Sequence, residues 1–442
     1  MKRIAIAAAA AIIMAIDLVA ATAATGPANV TIGVLSDVHV GTSRAKMLED
    51  TFAFLRDAGV DGVIIAGDIA NSGNSNELKS AGNAWDAVFP GNKAPDGRHV
   101  EKLFLYGNHD NFGKSINQDR AGAWRYAFNE DWAPIYAKTV KGYVFICAHW
   151  GYEKDLAAFL RDNGEKLHLR GGRPFFYSQH PHPGNTVYGP WAWGNDKGVA
   201  TDALNTYSNA VAFSGHSHHS LTDERSVWQG TFTSIGTSSL SYIYAQYWRE
   251  NGEAGKGEPV KQMPWLSAGA GKQGMVMRVY DDAIIIERWD MIAHEKVGAD
   301  WRIPLDGSRP FDFETRRAAA IPPEFAPGTP VLLSTGTGKN RKGEEVEQLT
   351  VTFPSAIPSE TSRVLDYEVR ALAYHEDVDY AVATKRVHSA AFYLPVERDA
   401  PTNKCVFAIS ELPEKTPLRF AVRPVECYGK KGHEILSDWW KR

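Results

Sequence analysis

Short apolar runs recur through the first two thirds of the chain, and each stops abruptly at a polar residue. The run at 30–35 ends at Ser36 and Asp37, and the run at 63–66 ends at Gly67 and Asp68. Three later runs repeat the pattern: 103–106 leads into Gly107, Asn108, His109 and Asp110, 175–177 into Gln179 and His180, and 211–213 into Gly215, His216, Ser217 and His218. Between the first two, Leu48, Phe52 and Leu55 recur at helical spacing. Runs this short and this apolar suit strands covered on both faces, so the alternation over 30–290 predicts a layered α/β core with helices outside the sheet. In such folds ligand sites gather where strands hand over to loops. Five hand-overs to residues able to bind a metal are not the pattern of scattered His and Asp.

Beyond about residue 310 the helical spacing disappears. Strand-like runs at 331–333, 349–353, 364–372, 390–394, 406–409 and 418–422 are separated by Pro, Gly, Ser and charged turns, which predicts a small all-β sandwich. The stretch 409–413, then 418–422 and Gly429, resembles the latter half of a fibronectin type III module. It carries no cluster of chemistry-bearing residues, so the expected role is structural, or docking to a protein or cell surface.

The N-terminus changes the picture at one point. Met1, Lys2 and Arg3 precede an apolar run from 4 to 16, and Ala21, Thr22 and Ala23 form an Ala-x-Ala cleavage signal, the order of a secretory signal peptide. Asp17 interrupts the run short of the roughly 20 residues a spanning helix needs. The expected organisation is a signal peptide at 1–24, a catalytic domain at 28–305 and a fibronectin-like sandwich at 315–442, with export to the periplasm or the extracellular space. A 442-residue chain that is 44% hydrophobic has ample apolar content for these cores. Its formal net charge of -4, without a basic block, does not favour nucleic acid as a partner. Three cysteines, Cys147, Cys405 and Cys427, are too few for a disulfide framework or a thiolate metal cluster. Buried free thiols are expected, with a Cys405–Cys427 pairing left open.

Taken in order, the hand-over residues spell Asp-x-His (Asp37, His39), Gly-Asp (Asp68), Gly-Asn-His-Asp (Asn108, His109, Asp110), a lone His (His180) and Gly-His-x-His (His216, His218). Any one of these is a weak signal. The ordered set resembles the calcineurin-like metallophosphoesterase family. That resemblance implies a dinuclear site for two divalent or trivalent transition-metal ions (Mn, Fe or Zn), with Asp68 as the bridge. It assigns Asp37, His39 and His218 to one ion and Asn108, His180 and His216 to the other. Neutral imidazoles, carboxylates and an amide oxygen suit such ions. The implied reaction is hydrolysis of a small-molecule phosphomonoester or phosphodiester by a metal-bound hydroxide, with no Ser or Cys nucleophile needed. His109 resembles the family's non-ligand catalytic histidine, and Asp110 is expected to orient it and hold it protonated.

Rival assignments stay beside these. Asp37, Asp68 and Asn108 could be turn or cap residues. His182 and His149 compete with His180, and His219 is expected behind the ligands or towards solvent. Purple acid phosphatases, within the same family, carry a Tyr three residues after the bridging Asp; here that position is Asn71, so a colourless site is expected. An aromatic stretch at 185–194, with Trp150, could wall a pocket or simply fill a core. Arg173 is the nearest basic candidate for a second phosphate. Cyclic-nucleotide or lipid-headgroup phosphodiesterase activity is a variant of the enzyme reading, and a surface adhesion protein with a degenerate metal site is the alternative from another class.

Overall fold

The computed structural model describes residues 26–41, 45–112, 114–189, 192–244, 248–249, 258–259, 271–340, 342–392, 394 and 402–442. The expected signal segment 1–24 lies outside these residues, as does Trp191. Among the described residues no helix is long and apolar enough to cross a membrane.

Two sheets face each other across an apolar layer. The first contains β1 (Val30–Leu35), β2 (Gly62–Ala66) and β3 (Glu101–Leu105), which run parallel. The second is built on β4 (Ile135–Val140), β5 (Tyr143–Ala148), β6 (Phe175–Ser178), β7 (Ala210–Ser214), β8 (Val227–Gln229) and β9 (Thr233–Gly236), in the order β4-β5-β6-β7-β9-β8. A short ribbon, β10 (Trp248–Arg249) with β11 (Glu258–Pro259), stands apart from both. The chain then returns to the first sheet through β12 (Gln273–Val279), β13 (Ala283–Asp290), β14 (Glu295–Lys296) and β15 (Trp301–Pro304), giving the order β14-β13-β12-β1-β2-β3 with β15 also paired to β13.

Every residue of β1 and β2 is buried, as the continuous apolar runs require. Alternation divides them between two cores. Val30, Ile32 and Val34 point between the sheets, where they meet Phe145, Phe176 and Phe213. Leu35, Val63 and Ile65 face the helices outside. There α1 (Ala45–Asp57) lays down Leu48, Phe52 and Leu55, each contributing roughly 1.5–3 kcal/mol by burial. A Cβ at Gly33 would collide with Leu55, so the absent side chain lets α1 sit close to β1. The next helix, α2 (Ser75–Val88), starts with a capping box between Asn74 and Glu77. After β3 come the short α3 (Asn108–Phe112) and α4 (Lys114–Gln118), then α5 (Arg120–Phe128). The second sheet is covered by α6 (Leu156–Asn163) and α7 (Val199–Leu204), whose Leu156, Leu160 and Leu204 share a core with Phe175 and Tyr177. The core is therefore layered helix, sheet, sheet, helix, and the expected α/β class holds.

After α8 (Phe313–Ala319) the chain is all-β. Strands β16 (Leu332–Lys339), β17 (Glu345–Phe353) and β20 (Asn403–Ala408) form one sheet, and β19 (Val378–His388), β18 (Val364–His375), β21 (Leu418–Glu426) and β22 (Ile435–Leu436) form the other. Leu349, Phe407, Tyr367 and Phe420 fill the space between them. Lys430 Nζ reaches the carbonyls of Ala318 and Ala320, both at 2.7 Å, and Arg316 of α8 binds Glu224 of the core at 2.9 Å. These contacts seat the sandwich on the core. All three cysteines are buried and free.

Candidate metal centre

The C-terminal ends of β1, β2 and β3 in one sheet and of β6 and β7 in the other converge on one spot. Just past those ends the backbone turns sharply. Asp37, His39, Asp68, His216 and His218 all adopt positive φ, between 49° and 70°, a region that Asp, Asn and His tolerate better than most residues. Three glycines make room. A Cβ at Gly67 would strike the His180 ring, one at Gly107 would strike Asp68, and one at Gly215 would strike Asp37 and Ser36.

The donor atoms fall into two groups that share Asp68: Asp37, His39, Asp68 and His218 in one, and Asp68, His180 and His216 in the other, with each group's atoms within 4.8 Å of one another. Asn108 belongs beside the second, its Oδ1 3.0 Å from His180 Nε2. Within the first, His218 Nε2 lies 2.9 Å from Asp37 Oδ1 and 3.4 Å from His39 Nε2. His180 Nε2 is 3.2 Å from Asp68 Oδ2. The fold thus brings all seven expected ligands to one place, with His180 Nε2 also 3.9 Å from Asp37 Oδ1 of the first group.

The tautomers show what such a cluster needs. His180 Nδ1 donates to the Ala66 carbonyl at 2.7 Å, and His218 Nδ1 donates to the Tyr242 carbonyl at 3.0 Å. A carbonyl only accepts, so in the neutral ring each Nε2 carries a lone pair, aimed here at carboxylate and amide oxygens that are lone-pair donors too. Something positive must sit among them. With protons alone available, burial pushes His180 down, but Asp68 and Asp37 outweigh it and hold the imidazole up to about 9. His39, by contrast, is lowered by burial to about 4. Metal cations in place of the proton satisfy the whole donor set, and its chemistry of imidazole, carboxylate and amide fits them.

Supporting groups hold the donors in place. The Asp37 Oδ2 atom takes Ser36 Oγ at 2.5 Å, and the His216 amide is shared between Oδ2 at 3.0 Å and Oδ1 at 3.2 Å, which fixes the carboxylate with Oδ1 towards His218. Asp68 Oδ1 accepts the His109 amide at 2.7 Å. Neither Ser36 nor the Tyr242 carbonyl was distinguishable in the sequence, because each acts through a contact made by folding.

His109 sits at the edge of the cluster, its ring centroid 4.5 Å from that of His39. Its Nδ1 donates to the Asn71 carbonyl at 2.8 Å. The expected orientation of His109 by Asp110 is not formed. The Asp110 carboxylate is fully buried and accepts the amides of Gly107, Ile69 and Ala70 at 2.7, 3.1 and 2.6 Å. Burial and the neighbouring Asp68 raise this carboxyl to about 7, even against those three donors. Asp110 is a clip between the β2 and β3 loops, and Asn71, through its backbone, is the residue that orients His109.

The competitors of His180 lie elsewhere. His149 accepts the Tyr106 amide at Nδ1 and packs among Tyr106, Trp124 and Trp132. His182 and His219 are buried behind the ligands, both against Tyr188, so His219 does not face solvent. Arg173 precedes β6, at the end of the sheet away from the centre, where it reaches the Gly142 carbonyl and lies over Tyr143. It is not placed to meet a second phosphate. In the aromatic stretch Tyr188 is core, whereas Trp193 is 56% exposed and stacks on His216.

Compared with family models, residues 30–220 match that of the calcineurin-like phosphoesterases. Residues 30–220 are a calcineurin-like phosphoesterase domain. No match was found among curated proteins. Among solved structures the chain is similar to a dimetal phosphatase from Danio rerio, at 12% identity and a TM-score of 0.40, covering 63% of this chain and 100% of that one. It is also similar to a predicted phosphoesterase from Streptococcus pneumoniae (15%, TM-score 0.29, 62% and 97% covered). A third is GAP50, the inner membrane complex anchor of Plasmodium (13%, TM-score 0.39, 62% and 88%). Within the phosphoesterase domain, every motif that supplies a donor lies at a strand end.

Proposed function

We propose that the chain hydrolyses a small-molecule phosphoester at a dinuclear centre of two first-row transition-metal ions, held by Asp37, His39, Asp68 and His218 on one side and Asp68, Asn108, His180 and His216 on the other. The observation that carries this reading is Asp68, whose carboxylate belongs to both donor groups. When bound, such a pair supplies a water of lowered pKa and positive charge against the phosphoryl oxygens. The chain's own part is positional. Strand ends from two sheets aim the donors at one point, and the Ala66 and Tyr242 carbonyls set the rings. His109, turned by the Asn71 carbonyl at Nδ1, presents Nε2 as the nitrogen that can exchange a proton with the leaving group.

The reading extends to export, supported by the basic start, apolar run and Ala-x-Ala of residues 1–23. It also extends to a fibronectin type III-like C-terminal module, supported by three strands facing four. A degenerate binding protein would be expected to lack donors, and the convergence of Asp37, His39, Asp68, His180, His216 and His218 supports the hydrolase reading over it.

Elemental analysis of the purified chain, joined to a screen of phosphoesters, tests the proposal. Wild type should carry two metal equivalents and turn over at least one ester. Asp68→Ala and His109→Ala should each lose that activity by about 100-fold or more. Variants that hydrolyse the panel as well as wild type would sink the hydrolase reading.

A further inference from the structure

We propose that the centre is flanked by a stacking subsite for a planar, uncharged aromatic group of the substrate, with Trp193 as its platform; this deepens the hydrolase reading and rests on it. A cavity of about 160 Å³ opens above the donors, with Asp68 and His109 on its floor and Trp193, Tyr242 and Tyr244 in its wall. The Trp193 ring lies on the His216 imidazole, 4.7 Å between centroids and 26° between planes. One face is therefore taken, and the 56% exposure of the residue leaves the other turned outwards. An exposed indole next to a ligand imidazole places an apolar face within reach of whatever is attached to a phosphoryl group at the centre.

The platform is held rigidly. Asp196, three residues on, accepts four donors: the amides of Gly184 and Gly198 at 2.8 Å, and Gln179 Nε2 and the Ala200 amide at 2.9 Å. The His182 amide donates to the Gly194 carbonyl at 3.1 Å. Gly194 has φ 88°, and a Cβ there would press on the His216 ring. A surface tryptophan with no task needs no such frame, whereas a recognition platform gains affinity from one.

The rings favour a flat partner over a quaternary ammonium. An aromatic cage needs several faces around one point. Here Tyr242 lies against His218 at 4.2 Å, and Tyr244 is 6.4 Å from Trp193 at 56°, so among the described residues a single open face dominates. Among the described residues lining the cavity none is Lys or Arg. The described part of the wall thus offers a stacking surface and no charge partner for a further anion. A nucleobase and a simple aryl ring share the chemistry it would take.

Saturation-transfer NMR on the full-length protein, with adenosine, phenol, choline and glycerol as separate probes, tests this without turnover. Adenosine, phenol or both should bind wild type, weaken about tenfold in Trp193→Ala, as loss of one stacking contact predicts, and recover in Trp193→Phe. Binding of adenosine alone assigns a nucleobase, and of phenol alone an aryl ester; either supports the subsite. In the metal-loaded enzyme, Trp193→Ala should lower kcat/KM for the ring-bearing ester about tenfold more than for a glycerol phosphoester. The proposal is overturned if neither ring binds wild type, if Trp193→Ala binds the rings equally well, if choline takes the site, or if both esters suffer alike. Should the rings bind through Trp193 while no phosphoester is hydrolysed, the hydrolase reading fails and the subsite stands. Because Trp193 is largely exposed, both variants should keep the wild-type melting temperature.

Discussion

Oδ2 of Asp68 lies 3.2 Å from Nε2 of His180, although β2 and β6 belong to different sheets. Asp68 therefore ties the two halves of the core as well as the two donor groups. Asp68→Asn keeps the shape, including an acceptor for the His109 amide, but removes the charge that two cations would share. The expected outcome is fewer than two bound metals by elemental analysis and a loss of turnover of roughly a thousandfold, the scale of several kcal/mol of charge stabilisation.

Gly67 lies against His180: a Cβ there would fall 2.3 Å from the ring's Nδ1. In Gly67→Ala the new methyl meets the imidazole, and Ala must hold φ 91°, a left-handed strain of about 1–2 kcal/mol. The ring should leave the Ala66 carbonyl, and metal affinity in a calorimetric titration should fall about 10- to 100-fold, as for loss of an orienting partner. Unchanged affinity would show that the ring's seat does not matter.

Asp110→Ala separates a clip from a catalytic acid. Three buried amides would lose their acceptor, at about 1–3 kcal/mol for each one left unsatisfied. Urea unfolding should show a stability loss of several kcal/mol. A fully stable variant that is merely inactive would restore the role first expected of this residue.

The sandwich domain should be acid-sensitive through Glu368. Burial raises this carboxyl, but Lys431 and Arg423 together outweigh it and hold it below its usual range. Lys431 Nζ is 2.8 Å away, Arg423 Nε 2.7 Å and Arg386 Nη2 3.4 Å. A depressed carboxyl adds stability that is fully present above the unfolded value of roughly 4.3 and is lost as pH falls through the lower folded value. Glu368→Gln should cost roughly 1.5–3 kcal/mol at pH 7, and progressively less as pH falls below the unfolded value. Thermal melts of the two proteins from pH 7 to 3 would converge; parallel curves would rule the linkage out.

Much of the site was legible because its motifs are local. Asp37, Asp68, Asn108 and His216 each stand two or three residues beyond an apolar run, so strand register carries them to the same edge. In the sequence His180 is preferred to His149 and His182 only for its place just after the 175–177 run and by the family resemblance, since which imidazole faces Asn108 across the two sheets is decided by folding. Asp110 misled for a related reason. Adjacency to His109 suggested a pair, yet the amides that claim the carboxylate include Ile69 and Ala70, some forty residues earlier. Tyr188 and Trp193 read alike as aromatic loop residues; only packing against His219, or stacking over His216, tells core from rim.

The left-handed turns at Asp37, His39, Asp68, His216 and His218 have a consequence for the life of the chain before any metal reaches it. Each stands in a backbone state that its side chain disfavours, and together they hold like-charged and lone-pair atoms face to face. Cations that relieved this crowding would, on the proposed reading, act as a late folding partner as well as a reagent. Metal supply would then govern how long the newly made protein survives proteolysis, and the concentration of active molecules would follow the metal content of the compartment in which the chain matures.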